Sequence, residues 1–276
     1  MRSFASCLKF MKQAIYILFA TILLVSCSDF QKALKSEDVA EKFTMADELY
    51  QAEKWSKSKR LLDQILPKYR GKPQAEKLTY MHANCSYEMG DYYIASYHFD
   101  KFTDIYPQSE KAEEAAFKSA KGYYFNSPVY SKEQKETVEA IEKLQLFVNQ
   151  YPNSQYLAEA NTLVKELDFK LEKKAFEIAK QYDLITDYKA SVKSFNNFLL
   201  DFPGSSLREE ALYYRLHAEY NLALLSIESL KEERINIALN YYDAFVKAFP
   251  NSEYKEETLE WKNKLSEELS TIQTKS

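Results

Sequence analysis

The sequence has little glycine and little tryptophan. Only 4 of its 276 residues are glycine and 2 are tryptophan. Turn-rich β architectures need glycine at positions with positive φ, so this count argues against an all-β fold. It also leaves no Gly-rich loop of the Walker A or dinucleotide-binding kind. We therefore expect no nucleotide cofactor.

Residues suited to metal binding or nucleophilic catalysis are also scarce. The chain has 3 cysteines and 3 histidines, with no HExxH, no paired cysteines and no GxSxG. His82 and Cys85 share a helix face, but two ligands do not make a zinc site. Carboxylates are plentiful and fall on predicted solvated helix faces. The sequence therefore predicts no metal, no cofactor and no enzymatic activity.

Clusters of basic residues are missing as well. The net charge is −4, and lysine and arginine are interspersed with acidic residues rather than grouped in blocks. A nucleic-acid-binding face needs clustered basic side chains, so no nucleic-acid partner is expected. Good helix formers fill most remaining positions. The composition predicts an all-α fold.

The N-terminus carries the pattern of a lipoprotein signal peptide. Residues 14–25 read AIYILFATILLV, which is too short to span a bilayer and suits a signal-peptide h-region. Leu24-Val25-Ser26-Cys27 follows and resembles the lipobox of bacterial lipoproteins. That resemblance implies cleavage after Ser26, diacylglyceryl attachment to Cys27 and, with Ser28 next, an outer-membrane destination. We therefore assign 1–26 as signal peptide and 27–36 as a lipidated tether; a start at Met11 remains an alternative.

A recurring tetrapeptide marks helix boundaries along the rest of the chain. An aromatic residue ends one helix, proline prevents its continuation, and serine is placed to cap the next helix. The four copies are Tyr106-Pro107-Gln108-Ser109, Tyr151-Pro152-Asn153-Ser154, Phe202-Pro203-Gly204-Ser205 and Phe249-Pro250-Asn251-Ser252. Four of the 7 prolines in the chain lie in this one context. The spacing predicts a repeat of two helices.

The repeat has a register of 37 residues in its first half, since Ala46, Ala83 and Ala120 are equally spaced. With glycine at a turn, alanine at helix crossings and proline at the end, the pattern resembles a tetratricopeptide array. We predict a tetratricopeptide-type α-solenoid of about five helix pairs plus a C-terminal capping helix.

The predicted pairs are 37–70, 71–108, 109–152, 153–203 and 204–250, and the capping helix is 252–272. We group repeats one to three as 37–152 and repeats four and five, with the capping helix, as 153–276. Pairs four and five are predicted to have long first helices, near 154–185 and 206–230.

Aromatic residues recur seven positions apart in the predicted first helices, which places them on one helix face. The candidates for a peptide-binding groove are Phe43, Tyr50, Tyr80, Tyr87, Phe117 and Tyr124, joined on the same faces by the polar residues Asp47, Asn84 and Lys121. Tyrosine favours a partly wet edge. The same stripe is also explained by packing between neighbouring repeats, which is the more frequent role of aromatic residues at helical spacing, and both interpretations stay open.

The lipobox, the degenerate repeats and the segment 151–156 before a long charged helix together resemble the BamD family, lipoproteins of the outer-membrane β-barrel assembly machine. The resemblance covers essentially the whole chain after the signal. It implies a scaffold on the periplasmic face of the outer membrane. Its implied partners are the POTRA-domain barrel assembly subunit, other assembly lipoproteins and unfolded outer-membrane β-barrel proteins, with the membrane bound through the lipid anchor.

Three other classes of protein share some of these sequence features. A SusD-type glycan-binding lipoprotein is also helical, but those chains are longer and present aromatics on insertions that this sequence lacks. A lytic transglycosylase needs a compact module with a buried catalytic glutamate, and no stretch is left to fold it. A tetratricopeptide lipoprotein that organises cell division or the envelope remains the main alternative.

Overall fold

The structure is a computed structural model and describes residues 29–275. Every regular element in this part of the chain is a helix. The first, α1, covers residues 29–35. The others are α2 Val39–Gln51, α3 Trp55–Tyr69, α4 Ala75–Glu88, α5 Tyr92–Ile105, α6 Ala112–Asn126, α7 Lys135–Gln150, α8 Leu157–Leu184, α9 Tyr188–Asp201, α10 Arg208–Leu224, α11 Glu228–Ala248 and α12 Lys255–Lys275.

These helices follow one another as five consecutive pairs, from α2–α3 to α10–α11, and α12 follows the last pair. The first helices α4 and α6 of pairs two and three also touch each other, and α10 touches α12. This pattern is that of stacked helical repeats. The predicted fold class, an all-α tetratricopeptide-type α-solenoid of about five helix pairs plus a C-terminal capping helix, is confirmed.

The boundary tetrapeptides form the same turn at all four places. The serine N–H donates to the carbonyl of the aromatic residue three positions earlier, at 3.0–3.2 Å. The serine Oγ then accepts the backbone N–H two residues later, at 3.0–3.1 Å. The following helices begin three residues after each serine, at Ala112, Leu157, Arg208 and Lys255. The serine therefore closes a turn before the helix, and the prediction that it caps the helix itself was wrong.

Three of the turns inside the pairs contain a residue in the left-handed conformation. Glu53, Gly90 and Thr186 have φ values of 57°, 82° and 63° in pairs one, two and four. In each turn the next N–H donates to a carbonyl five residues earlier, at 2.8–3.0 Å. This is the Schellman arrangement that ends a helix. Glycine occupies this position in pair two, whereas glutamate and threonine occupy it in pairs one and four.

The described residues divide into two compact units. The first contains the residues up to Ser127 together with Glu139–Leu163. Its core is built where helices cross, and Ala46, Ala83 and Ala120 are all buried, in keeping with the 37-residue register. The second unit contains Pro128–Val138 and the residues from Val164 onward. Both α7 and α8 contribute residues to each unit, and the predicted grouping at 152/153 stays a prediction.

One predicted helix length was wrong. The first helix of pair five was expected near 206–230, but α10 ends at Leu224 and the longer helix of the pair is α11, with 21 residues. Ser226 lies between them, and its Oγ accepts a hydrogen bond of 2.6 Å from Arg234 of α11. A turn without proline or glycine gives no strong signal in the sequence. The long first helix of pair four does occur, since α8 has 28 residues.

Candidate functional site

A groove of about 580 Å³ lies in the first unit between the first helices of pairs one to three. Aromatic, cationic and acidic side chains share its surface. The lining residues are Tyr50, Gln51, Pro73, Glu76, Lys77, Tyr80, Met81, Asn84, Phe102, Lys111, Glu114 and Lys118. Its volume falls in the range of sites that hold small molecules or short peptide segments.

A hydrogen-bond chain crosses the groove from pair one to pair three. Asn84 Nδ2 donates to Tyr50 Oη at 2.8 Å, and Lys118 Nζ donates to Asn84 Oδ1 at 2.5 Å. Asn84 is 5% exposed, so its amide has a fixed orientation at the base of the groove. Burial raises the pKa of the Tyr50 hydroxyl, which therefore remains protonated at neutral pH. The first three pairs are thus joined by polar contacts along their first helices.

Glu114 organises the cationic side of the groove. Its carboxylate lies 2.8 Å from Lys111 Nζ and 3.3 Å from Lys118 Nζ. Burial by itself raises the pKa of Glu114, but hydrogen bonds from Lys111 and Tyr80 and the charge of Lys118 outweigh it, and the net pKa is lowered. The group is an anion at neutral pH. It holds two ammonium groups at the edge of the groove.

Lysine side chains lie over the aromatic rings of this surface. Lys77 Nζ is 5.6 Å from the centre of the Phe43 ring, and Lys111 Nζ is 5.4 Å from the Tyr80 ring. Lys118 covers Tyr87 at 5.4 Å. Each of these three lysines belongs to the helix pair that follows the pair of its aromatic ring. Such contacts contribute about 0.5–1 kcal/mol at exposed sites, and they give the surface alternating aromatic and cationic character.

Tyr80 belongs both to the groove and to the core. Its ring is 8% exposed and packs against Phe99 and Phe102, with centroids 5.8 Å and 5.6 Å away. Its hydroxyl reaches the groove and hydrogen-bonds Glu114. Phe117 is 4% exposed and stacks on Tyr156 at 4.5 Å. The Phe117 ring is therefore a packing element between repeats.

Phe43 and Asp47 lie beside the groove rather than on its lining. Phe43 is half-buried and packs on Tyr69 at 5.8 Å. Asp47 Oδ2 accepts a hydrogen bond of 2.7 Å from Lys77, while its buried Oδ1 has no hydrogen-bond partner among the described residues.

Tyr87, Tyr124 and Lys121 lie further along the first helices of pairs two and three. Tyr87 and Tyr124 are half-buried, and each packs near Phe125, with centroids 6.4 Å and 5.5 Å away. Lys121 forms an ion pair of 2.6 Å with Glu159. None of the three residues lines the groove of pairs one to three.

Of the nine candidate groove residues, the structure brings Tyr50, Tyr80 and Asn84 together in the lining. Whether these residues contact a ligand stays a prediction. Sequence reasoning missed the cations Lys77, Lys111 and Lys118 and the acid Glu114. The sequence did contain an indication, because Lys77 and Glu114 are 37 residues apart, the same spacing as equivalent positions of successive repeats. However, charged residues at equivalent repeat positions are ordinarily assigned to a solvent-exposed helix face.

The second unit has a matching aromatic stripe that is covered by α12. Tyr213 and Tyr220 of α10 lie seven residues apart, like the stripe in the first helices. Tyr213 stacks on Tyr254 at 4.1 Å, and Tyr220 stacks on Trp261 at 5.4 Å. The final helix therefore packs as the first helix of a further repeat would. The rings of Tyr254 and Trp261 cover the face of α10 that corresponds to the open groove face in the first unit.

The histidine and cysteine side chains have structural environments. His82 Nε2 lies 2.7 Å from Asp63 Oδ1, and its ring is 4.7 Å from that of His98. Within residues 29–275 no group of three or more His, Cys, Asp and Glu side chains is arranged to hold a metal ion. Cys85 is buried with a free thiol, and burial raises its pKa to about 11. A thiol with that pKa is protonated and unreactive at neutral pH.

The candidate lipidation site Cys27 lies outside the described residues, so its attachment stays a prediction. Between residues 29 and 275, none of the helices combines the length and the apolar character needed to cross a bilayer.

Comparisons with known proteins address the family of the chain. A search of curated proteins found no match. Among solved structures, the chain is similar to the yeast Sti1 domain described as "TPR2AB-domain:pHSP90-complex", with 15% identity and a TM-score of 0.39, over 86% of this chain and 93% of that one. A family model described as YfiO, outer membrane lipoprotein, matches residues 35–235. That match extends from the end of α1 into α11, well over half of the chain, and the protein therefore belongs to the YfiO family of outer membrane lipoproteins.

Proposed function

We propose that the protein is a non-enzymatic scaffold of the outer-membrane β-barrel assembly machinery, similar to BamD. It is anchored by lipid on Cys27, faces the periplasm and binds the POTRA-bearing barrel subunit, other assembly lipoproteins and unfolded barrel proteins. Membership of an outer membrane lipoprotein family supports the location. The tetratricopeptide-type repeats support a role in protein–protein interaction.

The groove of pairs one to three is the observation that carries this proposal. It combines apolar rings with hydrogen-bonding and charged groups that converge from three successive first helices. An extended peptide offers the complementary chemistry, since it carries backbone donors and acceptors on both sides and side chains that alternate. A C-terminal aromatic residue of a barrel protein would place its ring near Tyr50 and Tyr80 and its carboxylate near Lys111 and Lys118.

Peptide binding tests the groove directly. A fluorescent peptide with the C-terminal sequence of a barrel protein is titrated against the parent chain and Lys118→Gln, with Lys264→Gln as a control on exposed α12. Because a hydrogen bond to a charged group contributes about 1.5–3 kcal/mol, we expect Lys118→Gln to weaken binding at least tenfold. The control should bind like the parent chain. Equal affinities of all three proteins, with unchanged circular dichroism, would contradict the groove assignment.

Capture from detergent-solubilised membranes tests the machinery. We expect the POTRA-bearing barrel subunit and partner lipoproteins to co-purify with the tagged chain. Recovery of cell-division or peptidoglycan-associated proteins in their place would favour the alternative, a tetratricopeptide organiser of the envelope.

A further inference from the structure

The helix α1 is part of the first core and not a free segment. Phe30 is 3% exposed and Ala33 is 1% exposed, and both belong to the same hydrophobic cluster as Leu61 and Leu62 of α3. The predicted tether of residues 27–36 is therefore packed from Phe30 onward. A lipid on Cys27 would be followed almost at once by folded protein.

The distance between that lipid and the folded surface is short. Phe30 lies three positions after Cys27, and a fully extended chain covers at most about 11 Å over three positions. That reach is about one Debye length at physiological ionic strength, roughly 8–10 Å. Charges close to Phe30 would therefore lie near the membrane, at about the distance over which its surface potential decays.

The surface around Phe30 is cationic. Lys57 Nζ and Arg60 Cζ both lie 5.5 Å from the centre of the Phe30 ring. Lys32 and Lys35 project from α1 and are exposed. Together α1 and α3 carry six Lys and Arg residues against two aspartates, in a chain whose net charge is −4.

The two aspartates are already engaged. Asp29 pairs with Lys32 at 3.5 Å, and Asp63 contacts Lys59 and His82. Lys35, Lys57 and Arg60 form no ion pair with any other described residue. The charges of Lys35, Lys57 and Arg60 are therefore available to a partner.

We propose that this surface, formed by Lys32, Lys35, Lys57 and Arg60, contacts the phosphate groups of anionic phospholipids and orients the first unit on the membrane. The inference rests on the proposed lipid anchor at Cys27. Acyl chains alone hold the protein on the bilayer but leave it free to rotate. Cations at the surface add about 1 kcal/mol each against an anionic leaflet, and lipid chains combined with a basic patch are a general means of stable membrane attachment.

This orientation leaves the groove accessible. The groove is lined mainly by α2, α4 and α6, whereas the cationic surface belongs to α1 and α3. Contact between lipid and α3 therefore does not occupy Tyr50, Asn84 or Lys118.

Vesicle co-sedimentation tests the surface without the anchor. The processed chain from residue 27 carries Cys27→Ser, so that no acyl chain contributes to binding. It is mixed with vesicles of phosphatidylcholine alone or with phosphatidylglycerol. We expect binding only to the anionic vesicles and weaker binding at high salt.

The variant Lys57→Gln/Arg60→Gln should lose roughly thirty-fold in affinity, from about 1 kcal/mol for each cation. The control Lys247→Gln/Lys264→Gln removes the same charge from exposed positions of α11 and α12 and should bind like the parent chain.

A second variant guards against misfolding, because the side chains of Lys57 and Arg60 cover Phe30. Lys32→Gln/Lys35→Gln changes only exposed positions of α1 and should show a similar loss. No binding of the parent chain to anionic vesicles, or equal losses in the control, would overturn the proposal. Mass spectrometry of the protein from membranes tests the anchor separately, since an unmodified Cys27 would refute the lipid attachment while the vesicle comparison still measures the surface.

Discussion

At the scale of single residues, Gly122 sets the approach of α5 and α6. A Cβ atom at this position would lie 2.1 Å from Ser96 Oγ and 3.3 Å from the Tyr92 carbonyl oxygen. Ser96 is buried and donates to the Ser119 carbonyl at 2.9 Å. We expect Gly122→Ala to lower the free energy of unfolding by about 1–2 kcal/mol, because steric strain from overpacking exceeds the gain in helix propensity.

A double-mutant cycle with Ser96→Ala checks the cause, since it removes the clashing oxygen. In urea denaturation, Gly122→Ala should cost less in the Ser96→Ala background than in the parent chain. Gly204→Ala is the matched control, because no atom lies within 4 Å of its added Cβ. Equal costs of Gly122→Ala in both backgrounds would show that Ser96 is not the obstacle.

His82 makes the stability of the first unit depend on pH. Burial lowers its pKa below the ordinary value of 6.5, against the opposing effect of Asp63, and burial lowers the pKa of His98 in the same way. As pH falls below about 6.5, the unfolded chain takes up protons that the folded chain does not, so the free energy of unfolding decreases. Above this range the histidines are neutral in both states and no such loss occurs.

Thermal melts between pH 7.5 and 5 measure this dependence. The His82→Gln/His98→Gln variant should lose less stability over the same interval than the parent chain, whatever its stability at pH 7.5. The positive charge of Lys59 also lowers the pKa of both histidines, so it acts in the same direction as burial. Parallel curves for variant and parent would assign the acid sensitivity to other groups.

At the scale of elements, α12 completes the core of the second unit. Leu265 is fully buried in a cluster with Ala223, Ile235 and Ala238 of α10 and α11. We expect Leu265→Ala to lower the free energy of unfolding by about 3 kcal/mol through lost burial and the cavity left behind. Leu259→Ala on the same helix is the control, since Leu259 is 42% exposed and should cost under 1 kcal/mol. Similar denaturation midpoints for the two variants would show that α12 does not complete this core.

Element boundaries were predictable where a residue type forbids continuation. Proline lacks an N–H, so the four boundary tetrapeptides located the ends of α5, α7, α9 and α11. The end of α10 had no such residue, and it was predicted six residues too late in the chain. The left-handed positions of pairs one and four are occupied by Glu53 and Thr186, which mark no turn by themselves. In those turns the packing of the two helices imposes the conformation at a local cost of about 1 kcal/mol or more.

At the scale of the whole molecule, each compact unit has its own core. Leu61 is fully buried in the first unit, as Leu265 is in the second. By hydrogen exchange, Leu61→Ala should increase amide exchange mainly among residues up to Ser127, and Leu265→Ala mainly beyond Val164. Uniform acceleration along the chain by either variant would show that the units unfold as one.

The sequence by itself determined the fold class, the number of helix pairs and the 37-residue register, because these depend on local chemistry: helix propensity, proline at boundaries and alanine at crossings. It also pointed to Tyr50, Tyr80 and Asn84. Only the tertiary structure decided which aromatic rings are core, that Lys77, Lys111, Lys118 and Glu114 share the groove, and that α12 covers the stripe of α10. In the groove and under α12, residues that are tens of positions apart in the sequence come into contact. Whether a side chain is buried there depends on which helix packs against its face, and sequence periodicity does not specify that helix.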